Sequence, residues 1–185
     1  MTRPVRFLIG ERLYLRAVEA ADLPLCQVWI NDPDVRRNLI LARPMDLEAQ
    51  RAWHENRDRR PQPHDLTFGI VLLDGDRHIG NTGLHGIDWI NRKATTGTLI
   101  GEKDCWGHGY ATEAKALLCR YAFDTLDLAK LESEVFAHNV ASARHLEKNG
   151  YVREGVRRQA YFRDGRRIDA VMYGLLADEW RAKRG

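Results

Sequence analysis

Polar and apolar residues alternate with a period of two along several stretches of the chain. Between residues 11 and 18, Leu13, Leu15 and Ala17 are separated by Tyr14 and an arginine, which is the pattern of a strand with one buried face. We therefore predict a first strand here. Runs of similar character predict the other strands, which are a meander over residues 67–100, a strand over residues 130–136 and two final strands near residues 151–161 and 167–176.

Apolar residues recur with helical spacing in the second half of the chain. One face of the stretch from residue 112 to residue 125 carries Ala114, Leu117, Leu118, Tyr121 and Ala122. Positions with this spacing lie on the same side of a helix, so we expect this helix to pack on the sheet. Cap and stop residues predict three further helices, from Asp22 to Trp29, from Asp46 to about Asp58 and from Val140 to Asn149.

The order of these elements predicts an α+β fold. Strands and helices alternate late in the chain but not early, so the sheet is expected to be mixed and antiparallel in its middle. The sequence contains no repeat, linker or low-complexity tract. We therefore expect residues 1–185 to form a single domain.

Composition narrows the class of protein. Hydrophobic residues make up 44% and charged residues 30%, which is the balance of a soluble globular protein. The formal charge of +3 comes from 29 basic and 26 acidic residues, an excess too small to indicate a nucleic-acid partner. No apolar run approaches the ~20 residues of a membrane-spanning helix, and the N-terminus lacks a signal-peptide pattern, so we expect a cytoplasmic location and no membrane partner.

The cysteines give no sign of a disulfide framework or a metal site. Cys26, Cys105 and Cys119 are odd in number and lack the paired spacing of zinc ligands. We expect reduced thiols and no bound metal.

The stretch from Leu99 to Glu113 has the pattern of an anion-binding site. It reads as a strand end, a loop with two glycines and the start of the amphipathic helix. Gly107 and Gly109 allow the backbone to approach a phosphate, and the first helical N–H groups point towards it. The spacing matches neither of the two common nucleotide-binding loops. A diphosphate would fit, although two glycines also suit a simple tight turn.

A second segment runs from Phe136 to Tyr151. Asn139 stands where a strand ends and a helix begins, so its side chain is expected to accept a hydrogen bond from the N–H of Ser142. Gly150 is placed to end that helix in the left-handed conformation. Taken alone, this segment indicates only a capped helix.

Together the two segments resemble the GNAT acetyltransferases, and among them the ribosomal-protein N-terminal acetyltransferases of the RimJ/RimL type. The first segment matches the acetyl-CoA motif of that family as Trp106-Gly-His-Gly-Tyr-Ala111, and the second matches its Asn-x-x-Ser-x-x-x-x-Glu-Lys-x-Gly-Tyr motif. The opening Gly10-Glu-Arg-Leu-Tyr-Leu also agrees, so the resemblance covers nearly the whole chain. It implies the GNAT fold, with a largely antiparallel mixed sheet of about seven strands and about four helices.

The resemblance also implies acetyl-CoA as the co-substrate and assigns residues to it. Coenzyme A would lie where the fourth and fifth strands of the family separate, with the pantetheine arm along the fourth strand. Asn139 would hold the pantetheine arm and Ser142 would lie near the sulfur. The remaining cofactor-binding residues would be Leu99, Ile100 and Gly101 at the strand end and Trp106, Gly107, His108, Gly109, Tyr110, Ala111 and Thr112 in the loop and first helical turn.

The resemblance implies direct attack of a neutral amine on the thioester, which requires a base and a proton donor for the thiolate. Many relatives carry a Tyr where this chain has Leu146, and Ser142 is our replacement candidate as the proton donor. A Glu common in relatives is replaced by Thr95. The candidate bases are His85, Glu134 and Asp88, and a water chain is a further possibility.

The resemblance implies a primary amine as the acceptor. Resemblance to the branch favours the N-terminal amine of a protein as the acceptor, and an aminoglycoside, a polyamine or a nucleotide-linked amino sugar are alternative acceptors. A different alternative is that the protein binds acetyl-CoA without catalysing acetylation. The helical insert after the first strand is expected to shape the acceptor pocket, with Trp29, Asn31, Asp32, Asp34, Trp53 and His54. The basic runs at residues 57–60 and 157–167 indicate solvent-exposed faces more than a ribosome-docking surface. Dimers are common among the relatives, so a homodimer is a further alternative to a monomer.

Overall fold

The computed structural model describes residues 5–41, 43–56 and 62–183. It contains eight strands, which are β1 (Leu8–Ile9), β2 (Leu13–Ala17), β3 (Leu66–Leu72), β4 (His78–Asp88), β5 (Lys93–Ile100), β6 (Lys130–Phe136), β7 (Val152–Arg163) and β8 (Arg166–Leu176). The α-helices are α1 (Leu23–Asn31), α2 (Pro33–Arg36), α3 (Leu47–Glu55), α4 (Tyr110–Arg120), α5 (Val140–Lys148) and α6 (Ala177–Ala182).

All eight strands form one sheet in the order β1-β2-β3-β4-β5-β6-β8-β7. Only β5 and β6 pair in parallel, and the other neighbours are antiparallel. The predicted α+β class and the mixed, largely antiparallel sheet are therefore confirmed. The strand count exceeds the expected seven because of β1, which has two residues, and the helix count exceeds four because of the short helices α2 and α6.

Helix α4 packs on the sheet as its periodicity predicts. Ala114, Leu117 and Leu118 are at most 6% exposed and belong to the same core as Leu13 and Leu84 from the strands. Burial of each large aliphatic side chain contributes about 1.5–3 kcal/mol relative to exposure, so this face fixes the helix on the sheet. The helix starts one residue after the glycine loop, and its position on the sheet therefore places the loop.

Two of the three predicted side-chain caps are confirmed. The carboxylate of Asp46 accepts a hydrogen bond from the N–H of Ala49 at 2.7 Å, and Asn139 Oδ1 accepts one from Ser142 at 3.1 Å. The cap predicted for Asp22 is wrong, because this carboxylate makes no hydrogen bond to the amides of α1.

Asp22 instead joins the helical insert to the sheet. Its two oxygens accept hydrogen bonds from Arg16 at 2.6 and 2.7 Å, and one also accepts from the N–H of Glu19 at 2.8 Å. The two side chains are 12% and 11% exposed. Arg16 lies on β2 and Asp22 precedes α1, so this pair fixes where the insert begins.

Several further expectations concern membrane spans, the cysteines, metal binding and the basic runs. Within the described ranges no helix is long and apolar enough to cross a membrane. The three cysteines are free and buried, and no group of three or more metal-binding side chains occurs in these ranges. The basic run at residues 57–60 lies outside the described residues, as does the end of the predicted helix beyond residue 56.

Candidate acetyl-CoA site

The parallel strands β5 and β6 pair over only three positions. Lys93, Ala94 and Thr95 lie opposite residues 130–132, and no pairing follows towards the ends of the strands. At the start of the separation, the hydroxyl of Ser133 donates to the carbonyl of Thr96 at 3.1 Å. The strands therefore diverge beyond Thr96, and a gap opens between them.

The loop that follows β5 presents free backbone amides. Gly107 and Gly109 adopt positive φ values of 78° and 83°, which a residue with a side chain adopts only with strain. Gly109 caps α4 without a side-chain hydrogen bond. The N–H groups of residues 107–112 donate to no group in the described part of the chain. A row of free N–H groups at a helix N-terminus attracts an anion. A simple tight turn would not require these N–H groups to be free.

Arg12 holds this loop against the first long strand. Its guanidinium donates to the carboxylate of Glu113 at 2.8 Å and to the carbonyl of His108 at 2.9 Å. The other oxygen of Glu113 accepts from the backbone N–H of Arg12 at 2.8 Å. The guanidinium also lies over the ring of Tyr110, 4.9 Å from its centroid. The amides therefore stand in a fixed geometry.

A cavity of about 980 Å³ connects the gap, the loop and the helical insert. A volume of this size suits a large elongated ligand. Its wall includes most of the predicted site residues, which are His85, Leu99, Ile100, Trp106, Gly107, Gly109, Tyr110, Ala111, Thr112, Glu134, Asn139 and Ser142.

Gly101 and His108 are the predicted cofactor-binding residues that do not line this cavity. A Cβ on Gly101 would stand 2.1 Å from the ring of Trp29, so this glycine makes room for a tryptophan. His108 is exposed, its carbonyl is held by Arg12 and its ring stacks on Tyr110 with centroids 6.1 Å apart. Trp106 also has a packing role, because its indole N–H donates to the carbonyl of Ile100 at 2.8 Å.

The second motif forms the opposite wall of the cavity. Asn139 caps α5, and Ser142 and His145 follow at intervals of one helical turn on the cavity side. The hydroxyl of Ser142 is partly exposed and bonds to no described group. Leu146 is 1% exposed and belongs to the core, so it offers no polar group to the cavity.

The three candidate bases differ in position. His85 faces Thr95 across β4 and β5, and its Nδ1 lies 3.3 Å from a carboxylate oxygen of Asp65. Glu134 lies on β6 near the separation of the strands. Asp88 does not line the cavity; its carboxylate accepts hydrogen bonds from Asn91 and the N–H of Ile90, and these hold its pKa below the usual value.

The helical insert supplies an apolar wall at the other end of the cavity. This wall consists of Ile30, Val35, Leu39, Ile40, Leu41, Met45 and Trp53, and Phe136 from β6 continues it. Arg163 from the β7–β8 hairpin donates to the carbonyl of Ile40 and lies over the ring of Phe136, with its guanidinium carbon 5.7 Å from the centroid. The hairpin therefore touches both sides of this end of the cavity.

The carboxylates of the insert already have cationic partners. Lys103 lies 2.9 Å from Asp32 and 3.1 Å from Asp34, and Arg37 lies 3.5 Å from Asp34. Asp32 also caps α2. By contrast, Oε1 of Glu134 is buried and accepts no hydrogen bond from the described residues, while its Oε2 pairs with Arg157 at 2.9 Å.

Two polar residues of the cavity wall escaped the sequence-based prediction. Lys115 on α4 is 1% exposed, and Nε2 of His145 on α5 is buried without a hydrogen-bond partner in the described ranges. A signal for Lys115 was present, because it follows Ala114 and precedes Leu118 by three residues, which places it beside the apolar face of its helix.

Separated parallel strands beside a row of free amides provide a gap that can accommodate an extended arm and a site that attracts an anion such as a diphosphate. The sequence profile of the acetyltransferase (GNAT) domain matches residues 12–152. The chain belongs to this family and is an N-acetyltransferase that uses acetyl-CoA as its acetyl donor.

Related proteins support this assignment. "Uncharacterized N-acetyltransferase p20" of Bacillus licheniformis is 33% identical over 181 residues, which cover 94% of this chain and 97% of that protein. "Putative ribosomal N-acetyltransferase YdaF" of Bacillus subtilis (strain 168) is 35% identical over 130 residues, 69% of each chain. The structure of a Vibrio cholerae spermidine N-acetyltransferase in complex with CoA and spermine shares the fold, with a TM-score of 0.83, 22% identity and coverage of 93% and 99%.

Proposed function

We propose that this enzyme acetylates the N-terminal amine of a peptide or protein, as the resemblance to the RimJ/RimL-type branch implies, and that the first side chain of this acceptor is apolar. The observation that carries the proposal is the combination, at one end of the cavity, of an apolar wall with the buried, unpartnered Oε1 of Glu134. An apolar wall favours an apolar substituent, and one carboxylate oxygen favours one ammonium group.

Glu134 is proposed to receive the amine. Because Arg157 holds Oε2, the carboxylate has a fixed orientation with Oε1 left for a substrate N–H. Burial raises the pKa of the neighbouring Tyr161, and the nearby Glu134 carboxylate raises it further, so this phenol stays neutral at physiological pH. The ammonium group of an acceptor would then meet the carboxylate in a partly buried setting, where the attraction is strong.

His85 is the proposed base. Its Nδ1 faces Asp65, which fixes the orientation of the ring, and its other side borders the cavity. A base oriented by a carboxylate is suited to remove the proton from the bound ammonium before attack on the thioester. Ser142 on α5 is the proposed donor of a proton to the departing thiolate.

A polyamine is the second candidate acceptor, as acetylated by the Vibrio cholerae enzyme of the same fold. A polyamine carries two or more cations and requires a carboxylate for each. Among the described residues of the cavity wall, the second carboxylate is that of Asp34, which Lys103 and Arg37 already neutralise. The charges of the cavity therefore favour a single cation.

A matched acceptor panel tests the proposal. Short peptides with an apolar first residue, the same peptides with a blocked N-terminus, and spermidine are incubated with acetyl-CoA, and release of the free thiol is followed. We expect turnover with the free N-termini and none with the blocked peptides. Faster turnover of spermidine than of every peptide would refute the proposed acceptor class while leaving the acetyltransferase assignment intact.

Glu134→Gln should weaken acceptor binding selectively. The variant keeps the shape of the side chain but removes the charge that meets the ammonium, so we expect kcat/KM for the peptide to fall about 30-fold, corresponding to roughly 2 kcal/mol for a charge-assisted hydrogen bond. Calorimetry should show an unchanged affinity for acetyl-CoA. Equal losses for the amine and for the donor would show that Glu134 supports the cavity and does not receive the amine.

Ser142→Ala should lower turnover more than donor binding. Removal of a general acid reduces the rate of the chemical step, and we expect kcat to fall by about 10²-fold, within the usual range for such groups. The backbone N–H of residue 142 still bonds to Asn139, so the helix cap persists. Thiol release under saturating acetyl-CoA measures the effect, and an unchanged kcat would remove Ser142 from the mechanism.

A further inference from the structure

Lys115 is a buried cation to which the described residues offer no counter-ion. The residue is 1% exposed and lines the cavity from α4. Its Nζ forms no hydrogen bond or ion pair with any residue in the described ranges. Buried ammonium groups are costly when they are unpaired, and folded proteins rarely retain them without a function. The protein therefore tolerates a destabilising charge at a wall of its acetyl-CoA cavity.

The position of Lys115 on α4 relates it to the free amides. Ala111 and Thr112 lie four and three residues earlier, on the same side of the helix, and both line the cavity. Long side chains in a helix lean towards its N-terminus. Lys115 therefore shares one side of α4 with residues whose N–H groups are free, and its charge also acts on Cys119, one turn later on the helix, and on His145 of α5.

The groups around Lys115 do not neutralise it. On α5, burial and then the charge of Lys115 lower the pKa of His145 to about 4, so this ring is uncharged at neutral pH. On α4 itself, burial raises the pKa of Cys119 to about 11, and burial raises the pKa of Tyr151 beside it. Strand β5 faces the cavity with threonines, α5 adds the cations Arg144 and Lys148, and Glu134 on β6 is paired with Arg157.

We propose that Lys115 supplies a side-chain cation for the diphosphate of acetyl-CoA, which it meets from within the cavity while the amides of residues 107–112 meet it from the loop. The proposal rests on the placement of the diphosphate at those amides. The anion removes the electrostatic cost of the buried ammonium, and the ammonium adds a charge-assisted contact to the donor. His145, uncharged and with a free Nε2, is available to accept or donate a hydrogen bond beside the same group.

The Lys115→Met variant tests whether Lys115 binds the donor or only supports the fold. Methionine has a similar length and suits a buried position, so removal of the unpaired charge should raise the thermal unfolding midpoint of the free protein. The same variant should bind acetyl-CoA about 10- to 100-fold more weakly, as for loss of one partner in a buried charge pair. Higher stability together with weaker binding is the expected result. Unchanged affinity in the folded variant would overturn the proposal.

Truncated donors identify the group that Lys115 meets. Dephospho-CoA lacks the 3′-phosphate but keeps the diphosphate, whereas acetylated pantetheine lacks every phosphate. The loss of affinity caused by Lys115→Met should persist with dephospho-CoA and disappear with acetylated pantetheine. A loss that persists with pantetheine would assign Lys115 to the thioester end, and a loss that disappears with dephospho-CoA would assign it to the 3′-phosphate; either result overturns the diphosphate contact.

Proton uptake gives an independent measurement. Burial lowers the pKa of Lys115 to about 8 in the free protein, so part of these side chains are neutral in mildly alkaline buffer. Binding of the diphosphate requires the ammonium form, so protons should be taken up when the donor binds. Calorimetry in two buffers of different ionisation enthalpy measures this uptake in the wild type and in Lys115→Met. Equal uptake by the two proteins would contradict the proposal.

The Gly109→Glu variant distinguishes a wrong role for Lys115 from a wrong placement of the diphosphate. If that variant binds acetyl-CoA normally, the diphosphate is not at the amides and the premise falls. If it fails to bind while Lys115→Met binds as the wild type does, the site stands and the role of Lys115 is refuted.

Discussion

Replacement of Gly109 by Glu should abolish detectable binding of acetyl-CoA at concentrations that saturate the wild type. The glycine caps α4 at a φ of 83°, and the N–H groups of the following residues face the cavity. A carboxylate at this position would place a negative charge where the diphosphate is proposed to bind. Juxtaposition of like charges costs several kcal/mol, which corresponds to a loss of about 100-fold or more in affinity.

The variant should remain folded. A Cβ on Gly109 would meet Nη2 of Arg12 at 3.5 Å, which is an ordinary contact, and the positive φ adds about 1–2 kcal/mol of strain. Gly165→Glu is the matched control, because Gly165 has a φ of 75° in the β7–β8 turn and open space around it. Calorimetry should give wild-type affinity for the control, and equal affinities for all three proteins would refute the placement of the diphosphate.

Local signals in the sequence were sufficient for much of the fold. The strand predicted over residues 130–136 is observed with those bounds, and the alternation that predicts it reflects one buried face. The helix predicted from Asp46 begins where expected, because its cap is a local contact with the N–H of Ala49. Strand β1 has two residues and pairs only with β2, so its existence depends on a partner that a local pattern does not reveal.

The predictions for Asp22 and Gly101 differ from the structure for a common reason, which is that both residues lie against segments distant in the sequence. Asp22 precedes a helix and looks like a cap, yet it pairs with Arg16 and approaches His78 on β4, whose Nδ1 lies 3.2 Å away. Gly101 follows β5 and is predicted to contact the cofactor, and in the structure it makes room for the ring of Trp29 from the insert and does not line the cavity. A motif locates the loop and the helix, while tertiary packing decides which side chain reaches the cavity.

Replacement of Asp22 by Asn should destabilise the protein by about 3 kcal/mol at pH 7, since it leaves the buried guanidinium of Arg16 without its counter-ion. Burial disfavours the charged carboxylate, but the hydrogen bonds from Arg16 and the proximity of His78 outweigh it and hold the pKa of Asp22 far below its usual value of 3.8. The stabilisation is therefore complete well above that value and is lost as the pH falls below it. Chemical unfolding at pH 7 and in acid should show the difference between the two proteins shrink as the pH falls.

The same substitution should affect binding of the amine without affecting binding of acetyl-CoA. The Arg16–Asp22 pair joins β2 to the start of α1, which carries Cys26 and Ile30 on the cavity wall, whereas the amide loop is held independently by Arg12 and Glu113. Asp22→Asn should therefore raise KM for the amine while the affinity for acetyl-CoA stays near that of the wild type. Adding Arg16→Met removes the unpaired charge, so the double variant should regain stability but not the low KM, because the link between strand and insert is still absent. Recovery of both properties together would show that the link does not position the insert.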